Sequence, residues 1–158
     1  MTRKVFYSFH YKTDVTRVQM VRNIGVLDKN PLVAPNKWEE LKRKGDKAVK
    51  DWIDSNLKGK SCLIVLIGED TANSKWVDYE IRQAWDSGKA VVGIYIHNLK
   101  DLNGNRANKG QSPFDNIDLK NGNKLSSYIT CHSPSFTNTY QDIANNLEDW
   151  IEEAITSR

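Results

Sequence analysis

The sequence predicts an open α/β sheet with helices on both faces, and three features of the 158-residue chain predict it. Strand-like and helix-like segments alternate, the pattern of packed α/β layers. Two of the strand-like runs, residues 61–67 and 90–96, are continuously apolar, as expected of strands covered on both sides. The segments between them repeat apolar residues at helical spacing with charged residues on the opposite face.

Residues 4–10 form the first strand, rich in aromatic and β-branched side chains. Thr13 or Asp14 is placed to cap a helix that carries Val15, Val18, Val21 and Ile24. Residues 28–36 contain Pro31 and Pro35 and read as loop. A single helix then carries Trp38, Leu41, Ala48, Val49, Trp52 and Ile53, with Gly45 on its apolar face where a neighbour can pack closely. After the strand at 61–67, a helix over residues 74–88 has Asn73 or Ser74 as its cap and Gly88 as its stop. The strand at 90–96 leads into an Asn-, Gly- and Lys-rich stretch, residues 97–124, without periodicity. A stretch of that length is either functional or mobile. Residues 127–131 read as a short last strand, and a terminal helix carries Tyr140, Ile143, Ala144, Leu147, Trp150, Ile151 and Ala154. Trp38, Trp52, Trp85 and Trp150 fall on helical stripes and read as core. No repeat or second domain is visible, so residues 1–158 are expected to form one domain.

Composition narrows the function classes. Lys and Arg number 23 against 20 Asp and Glu, and a net charge of +3 does not argue for nucleic-acid binding. The longest apolar run, residues 63–67, is far short of the ~20 residues a membrane span needs. The N-terminus has no signal-peptide core, and Cys62 and Cys131 sit in strand-like runs as small hydrophobes, so a cytoplasmic protein with reduced thiols is expected. No Gly-x-Gly-x-x-Gly follows the first strand and no Gly-Lys-Ser/Thr loop exists. The three histidines and two cysteines show no metal-ligand spacing, so no metal is expected. Cys131 and His132 are neighbours on a strand and point to opposite faces, which argues against a nucleophilic pair.

Ligands of open α/β sheets bind beyond the carboxyl ends of the strands. Those ends are residues 8–10, 68–71 and 97–98. On the helix at 74–88, Val77, Ile81, Ala84 and Trp85 form the buried stripe, and Glu80 falls at its margin between the directions of Trp76 and Ala84. A carboxylate there is partly desolvated yet within reach of a cleft. The same position also suits an ion pair with Lys75 or Lys89.

Four segments in order, Lys4-Val-Phe-Tyr-Ser-Phe-His-Tyr, Trp38-Glu-Glu-Leu-Lys-Arg-Lys-Gly-Asp46, Ser61-Cys-Leu-Ile-Val-Leu-Ile-Gly68 and Trp76-Val-Asp-Tyr-Glu-Ile81, resemble the TIR-like family. Within it they are most similar to the bacterial branch that includes the Thoeris anti-phage proteins. The loop from 98 to 114 is similar to that branch too. The resemblance implies a flavodoxin-like, mainly parallel sheet and an enzyme that consumes NAD as its substrate, with no cofactor. It implies Glu80 as the catalytic residue and a substrate site formed by Ser8, Phe9 and His10 facing the helix of Glu80. Trp76 suits stacking on substrate or packing at the helix start, Tyr79 is a further aromatic candidate or a surface aromatic, and Asp46 matches an acidic position of the branch or is only solvated. Members of the branch release nicotinamide and make a cyclic or modified ADP-ribose signal for a separate effector. A phage protein as trigger and self-assembly are further implied partners. The chain has room for the TIR-like sheet and little else, so its product is expected to act on another protein. Its mild basicity fits a polyanionic dinucleotide.

One carboxylate suffices for such chemistry. A glycosidase uses a second as acid on the leaving oxygen, but the nicotinamide of NAD is cationic and departs neutral. Two other readings stand beside this one. The first is a non-catalytic TIR-like module that signals by protein contact. The second is a nucleoside deoxyribosyltransferase-like enzyme with one carboxylate on a similar sheet. Glu80 with Trp76 and Ser8 favours the NAD enzyme.

Overall fold

The computed structural model describes residues 3–24 and 35–158. Its sheet is open and all-parallel in the order β1 (Val5–Ser8), β2 (Cys62–Ile67), β3 (Ala90–Tyr95), β4 (Cys131–His132), with Ser8 opposite Val65 and Gly93 opposite Cys131. Successive strand residues face opposite sides, and that alternation sorts the helices into two layers. Leu63, Val65 and Ile67 of β2 pack with α2 (Pro35–Arg43), α3 (Asp46–Leu57) and α4 (Lys75–Asp86). Cys62, Ile64 and Leu66 pack with α1 (Tyr11–Arg22) and α5 (Thr139–Ser157). All six β2 residues are buried, as a continuously apolar central strand requires. The expected fold class, an open parallel α/β sheet with helices on both faces, is therefore the observed one.

Local signals hold best around α4. The Ser74 hydroxyl accepts the Val77 amide at 3.3 Å, and Gly88 follows the helix at φ +80°. Helix α1 instead starts at Tyr11, ahead of the expected caps Thr13 and Asp14. Its N-terminus carries no side-chain cap, because the Asp14 carboxylate is drawn inward to Arg17 at 3.3 Å. The single helix expected over Trp38 to Ile53 is two helices. Gly45, at φ 103° and ψ 170°, breaks the chain between α2 and α3. No heavy atom lies within 4 Å of where its Cβ would be, so this glycine serves conformation rather than close packing. Of the proline-containing loop expected at 28–36, Pro35 and Asn36 belong to α2, and 28–34 lie outside the described residues.

The last strand is shorter and later than expected. Residues Leu125–Ser127 form a 3-10 turn, and only Cys131–His132 pair with β3. Trp85 and Trp150 are half-buried rather than core. Trp85 lies under the Arg158 guanidinium, and Trp150 stacks on His132 at 4.3 Å between ring centres. Tyr140, expected on the apolar stripe of the last helix, is exposed.

Residues 97–124 are tied down rather than structureless. The Ala107 amide donates to the His97 carbonyl at 2.8 Å, and the Asn108 amide donates to Glu69 at 2.9 Å. A 3-10 turn at Pro113–Asn116 buries Phe114 completely, and Asp118 bridges Lys124. From α1, Arg17 donates to the carbonyls of Leu99 at 2.7 Å and Asn105 at 3.0 Å.

Candidate active site

Strand β1 sits at one edge of the sheet, and a cavity of about 360 Å³ runs alongside it. Its size falls within the ~300–1,000 Å³ typical of small-molecule sites. Helix spacing aims the α4 residues at it. Val77, Ile81 and Ala84 point into the core, while Trp76 and Glu80, four residues apart and so on one face, line the cavity. From the β1 side Phe9 and His10 line it.

Glu80 is 7% exposed and accepts a hydrogen bond from the fully buried Ser8 hydroxyl at 2.6 Å. Burial pushes its carboxyl up to about 8, and the Ser8 bond pulls the other way. Beyond Ser8, no hydrogen bond or charge offsets the desolvation of Glu80. Among the residues singled out from sequence, the fold thus brings Phe9, His10, Trp76 and Glu80 onto one cavity, with Ser8 behind Glu80.

Asp46 and Tyr79 lie elsewhere. Asp46, exposed at the start of α3, pairs with Lys75 at 2.7 Å. The Tyr79 hydroxyl donates to the Asp54 carboxylate at 2.8 and 3.0 Å, and Lys50 lies over its ring. That contact draws Tyr79 toward α3 and, with burial as the larger cause, raises its phenol to about 12. Of the other strand ends, His97 packs edge-on to Tyr95, and the Gly68 amide is taken by Thr71 at 2.7 Å. Neither lines the cavity.

The cavity also uses residues that sequence reasoning assigned to the core or passed over. Phe9 stacks on Tyr11 at 5.4 Å, Tyr11 stacks on Trp38 at 6.1 Å, and Trp38 meets Trp52 edge-on at 6.2 Å. Trp38 and Trp52 are half-buried and line the cavity, which corrects their reading as core. Lys12, Lys42 and Lys60 bring cationic groups to the same walls. A signal existed in the spacing. Trp38 with Lys42, and Trp52 with Asn56, each lie four residues apart and so share a helix face. The result is a flat-walled aromatic cleft with lysines for phosphate and one buried carboxyl, suited to a dinucleotide.

Among the described residues no group of three His, Cys, Asp or Glu is placed to hold a metal ion, and no helix is long and apolar enough to cross a membrane. Cys62 and Cys131 are both free thiols.

Comparison with known proteins agrees with the fold. The model of a family described as "Thoeris protein ThsB, TIR-like domain" matches residues 6–101. A Bacillus cereus (strain MSX-D12) protein named "Putative cyclic ADP-D-ribose synthase ThsB1" is 40% identical over 120 residues, covering 73% of this chain and 62% of that protein. The chain therefore spans less than two thirds of the length of the curated relative it matches.

Proposed function

The chain belongs to the TIR-like domain family of the Thoeris protein ThsB, and from that premise we propose that it cleaves the nicotinamide–ribose bond of NAD in anti-phage defence. The observation that carries the reading is Glu80, a buried carboxyl on the wall of an aromatic, lysine-bearing cavity. The relative's name, a cyclic ADP-D-ribose synthase, supports the same substrate and a cyclised ADP-ribose product. NAD is substrate here, and no cofactor takes part. The family match favours this reading over a nucleoside deoxyribosyltransferase-like one.

The geometry accounts for the chemistry as follows. A substrate whose nicotinamide ring is cationic favours the ionised form of Glu80, since a nearby opposite charge offsets the cost of burial. Lys12 and Lys42 take the pyrophosphate as point charges, and the aromatic walls take the planar rings. As nicotinamide leaves neutral, positive charge develops on the ribose, and the preorganised carboxylate stabilises it where water is scarce. The product signal then acts on a separate effector in the cytoplasm. Activation by a phage protein and self-assembly belong to the same proposal.

The test is to incubate the purified protein with NAD, alone and with extract of phage-infected cells, and to resolve the nucleotides by chromatography and mass spectrometry. Nicotinamide together with a cyclic or linear ADP-ribose is the expected result. NAD left intact in both conditions overturns the proposal.

A further inference from the structure

We propose that His10 is a catalytic proton acceptor in this cavity, held in the required tautomer by Thr13 and Asp14; the proposal rests on the NAD-cleaving reading given above. The His10 Nδ1 and the Thr13 hydroxyl oxygen are 2.8 Å apart, and the same hydroxyl lies 3.3 Å from the Asp14 Oδ2. A hydroxyl has one hydrogen to donate. Burial raises the Asp14 carboxyl, but the Arg17 guanidinium at 3.3 Å and the Thr13 bond both favour its charged form, so Asp14 is taken as the acceptor and the hydroxyl donates to it. The Thr13 oxygen is then left to accept, and its partner is the Nδ1–H of His10. In the neutral ring that puts a bare lone pair on Nε2. His10 and Glu80 line one cavity, so this base shares the chamber with the carboxyl.

The far end of the relay is fixed. A Cβ on Gly68 would fall 2.1 Å from the Asp14 Oδ2, so only glycine lets the carboxylate pack there. Arg17 is 5% exposed and is itself anchored, with Nε donating to the Leu99 carbonyl and Nη2 to the Asn105 carbonyl. Thr13 and Asp14 are positioning residues in this account, whereas His10 touches the reacting atoms.

The step balances. The bond between ribose C1′ and the nicotinamide nitrogen breaks, its electron pair goes to nitrogen, and neutral nicotinamide departs. An oxygen bearing hydrogen, from water or from a hydroxyl of the same ADP-ribose, forms the new bond to C1′ with its lone pair. Its proton passes to His10 Nε2, and the imidazolium later releases it to solvent. The sum is NAD⁺ plus water giving nicotinamide, ADP-ribose and one proton, or NAD⁺ alone giving nicotinamide, a cyclic ADP-ribose and one proton when the hydroxyl is the substrate's own. Glu80 is poorly suited to take that proton, because its negative charge is needed until the new bond has formed.

The experiment pairs kinetics with nitrogen-15 NMR of the histidine ring in wild type, Thr13→Val, Thr13→Ser and His10→Asn, the last assigning the His10 signals. NMR is read at alkaline pH, on the neutral ring. Wild type and Thr13→Ser are expected to carry the His10 proton on Nδ1, and Thr13→Val to lose that preference. In nicotinamide release from NAD, His10→Asn is expected to lower kcat about 10²-fold, and Thr13→Val about tenfold with KM within about twofold; Thr13→Ser restores kcat. Valine matches threonine in shape, and the amide spectrum verifies that each variant is folded. A wild-type ring protonated on Nε2, or a Thr13→Val enzyme with unchanged kcat, overturns the proposal alone. Wild-type protein that releases no nicotinamide, even with extract of phage-infected cells, overturns the NAD reading and this proposal with it.

Discussion

Burial raises the Glu80 carboxyl to about 8, so at neutral pH the group holds a proton that it would have released in the unfolded chain. The native state therefore binds the extra proton between about 4.5 and about 8. Within that window stability falls as pH rises, by up to ~1.4 kcal/mol per pH unit. Glu80→Gln is expected to flatten the slope, and denaturant unfolding at both ends of the window measures it. For catalysis the sign reverses, because the ionised carboxylate is the working form. kcat/KM for NAD is expected to rise with pH toward a plateau above about 8, the value for the free enzyme. Ser8→Ala removes the one bond that lowers this pKa, so it should move the rise to higher pH and reduce kcat/KM at neutral pH about tenfold, read from initial rates. Glu80 was legible because its place at the margin of an apolar stripe is a matter of helical angle alone. Tyr79 was not, since its direction is set by Asp54, a partner 25 residues away on another helix.

The elements were legible wherever their signals are local. The cap at Ser74 and the stop at Gly88 sit next to the helix they bound. Helices α2 and α3 merged in the reading because Leu41 and Ala48 are seven residues apart, so the apolar repeat runs through the break at Gly45 without losing phase. Gly45→Ala is expected to cost about 1–3 kcal/mol, all of it conformational, because φ 103° with ψ 170° is a region for glycine and the space around the missing Cβ is open. Thermal unfolding reads this as a lowered midpoint. Gly68→Ala meets the opposite difficulty. The added carbon would collide with Asp14, a buried carboxylate already held by Arg17, so the loss of stability should come with loosening of α1 from the loop after β3. The elements of the 97–124 stretch escaped the sequence because backbone amides and carbonyls hold them, and those groups leave no trace in side-chain periodicity.

Across the whole molecule, one guanidinium joins the first helix to the chain beyond β3. Arg17→Met takes from the Leu99 carbonyl its donor, from the Asn105 carbonyl one of two, and from the buried Asp14 carboxylate its counter-charge, and is expected to cost about 3–5 kcal/mol. Hydrogen exchange should show the loss first at residues 97–107. The open sheet with helices on both faces was readable from chain order and strand apolarity, and the motif order pointed to the family that the comparison then showed. The cavity wall was harder to read, because Tyr11, Trp38 and Trp52 become neighbours only after three helices pack beside the edge strand. The account turns on one group, and the most direct measurement is nicotinamide release from NAD by wild type and Glu80→Gln at equal enzyme concentration. It predicts release by wild type and a fall of at least about 10²-fold in a folded variant that still binds NAD. Equal rates from the two proteins would contradict it.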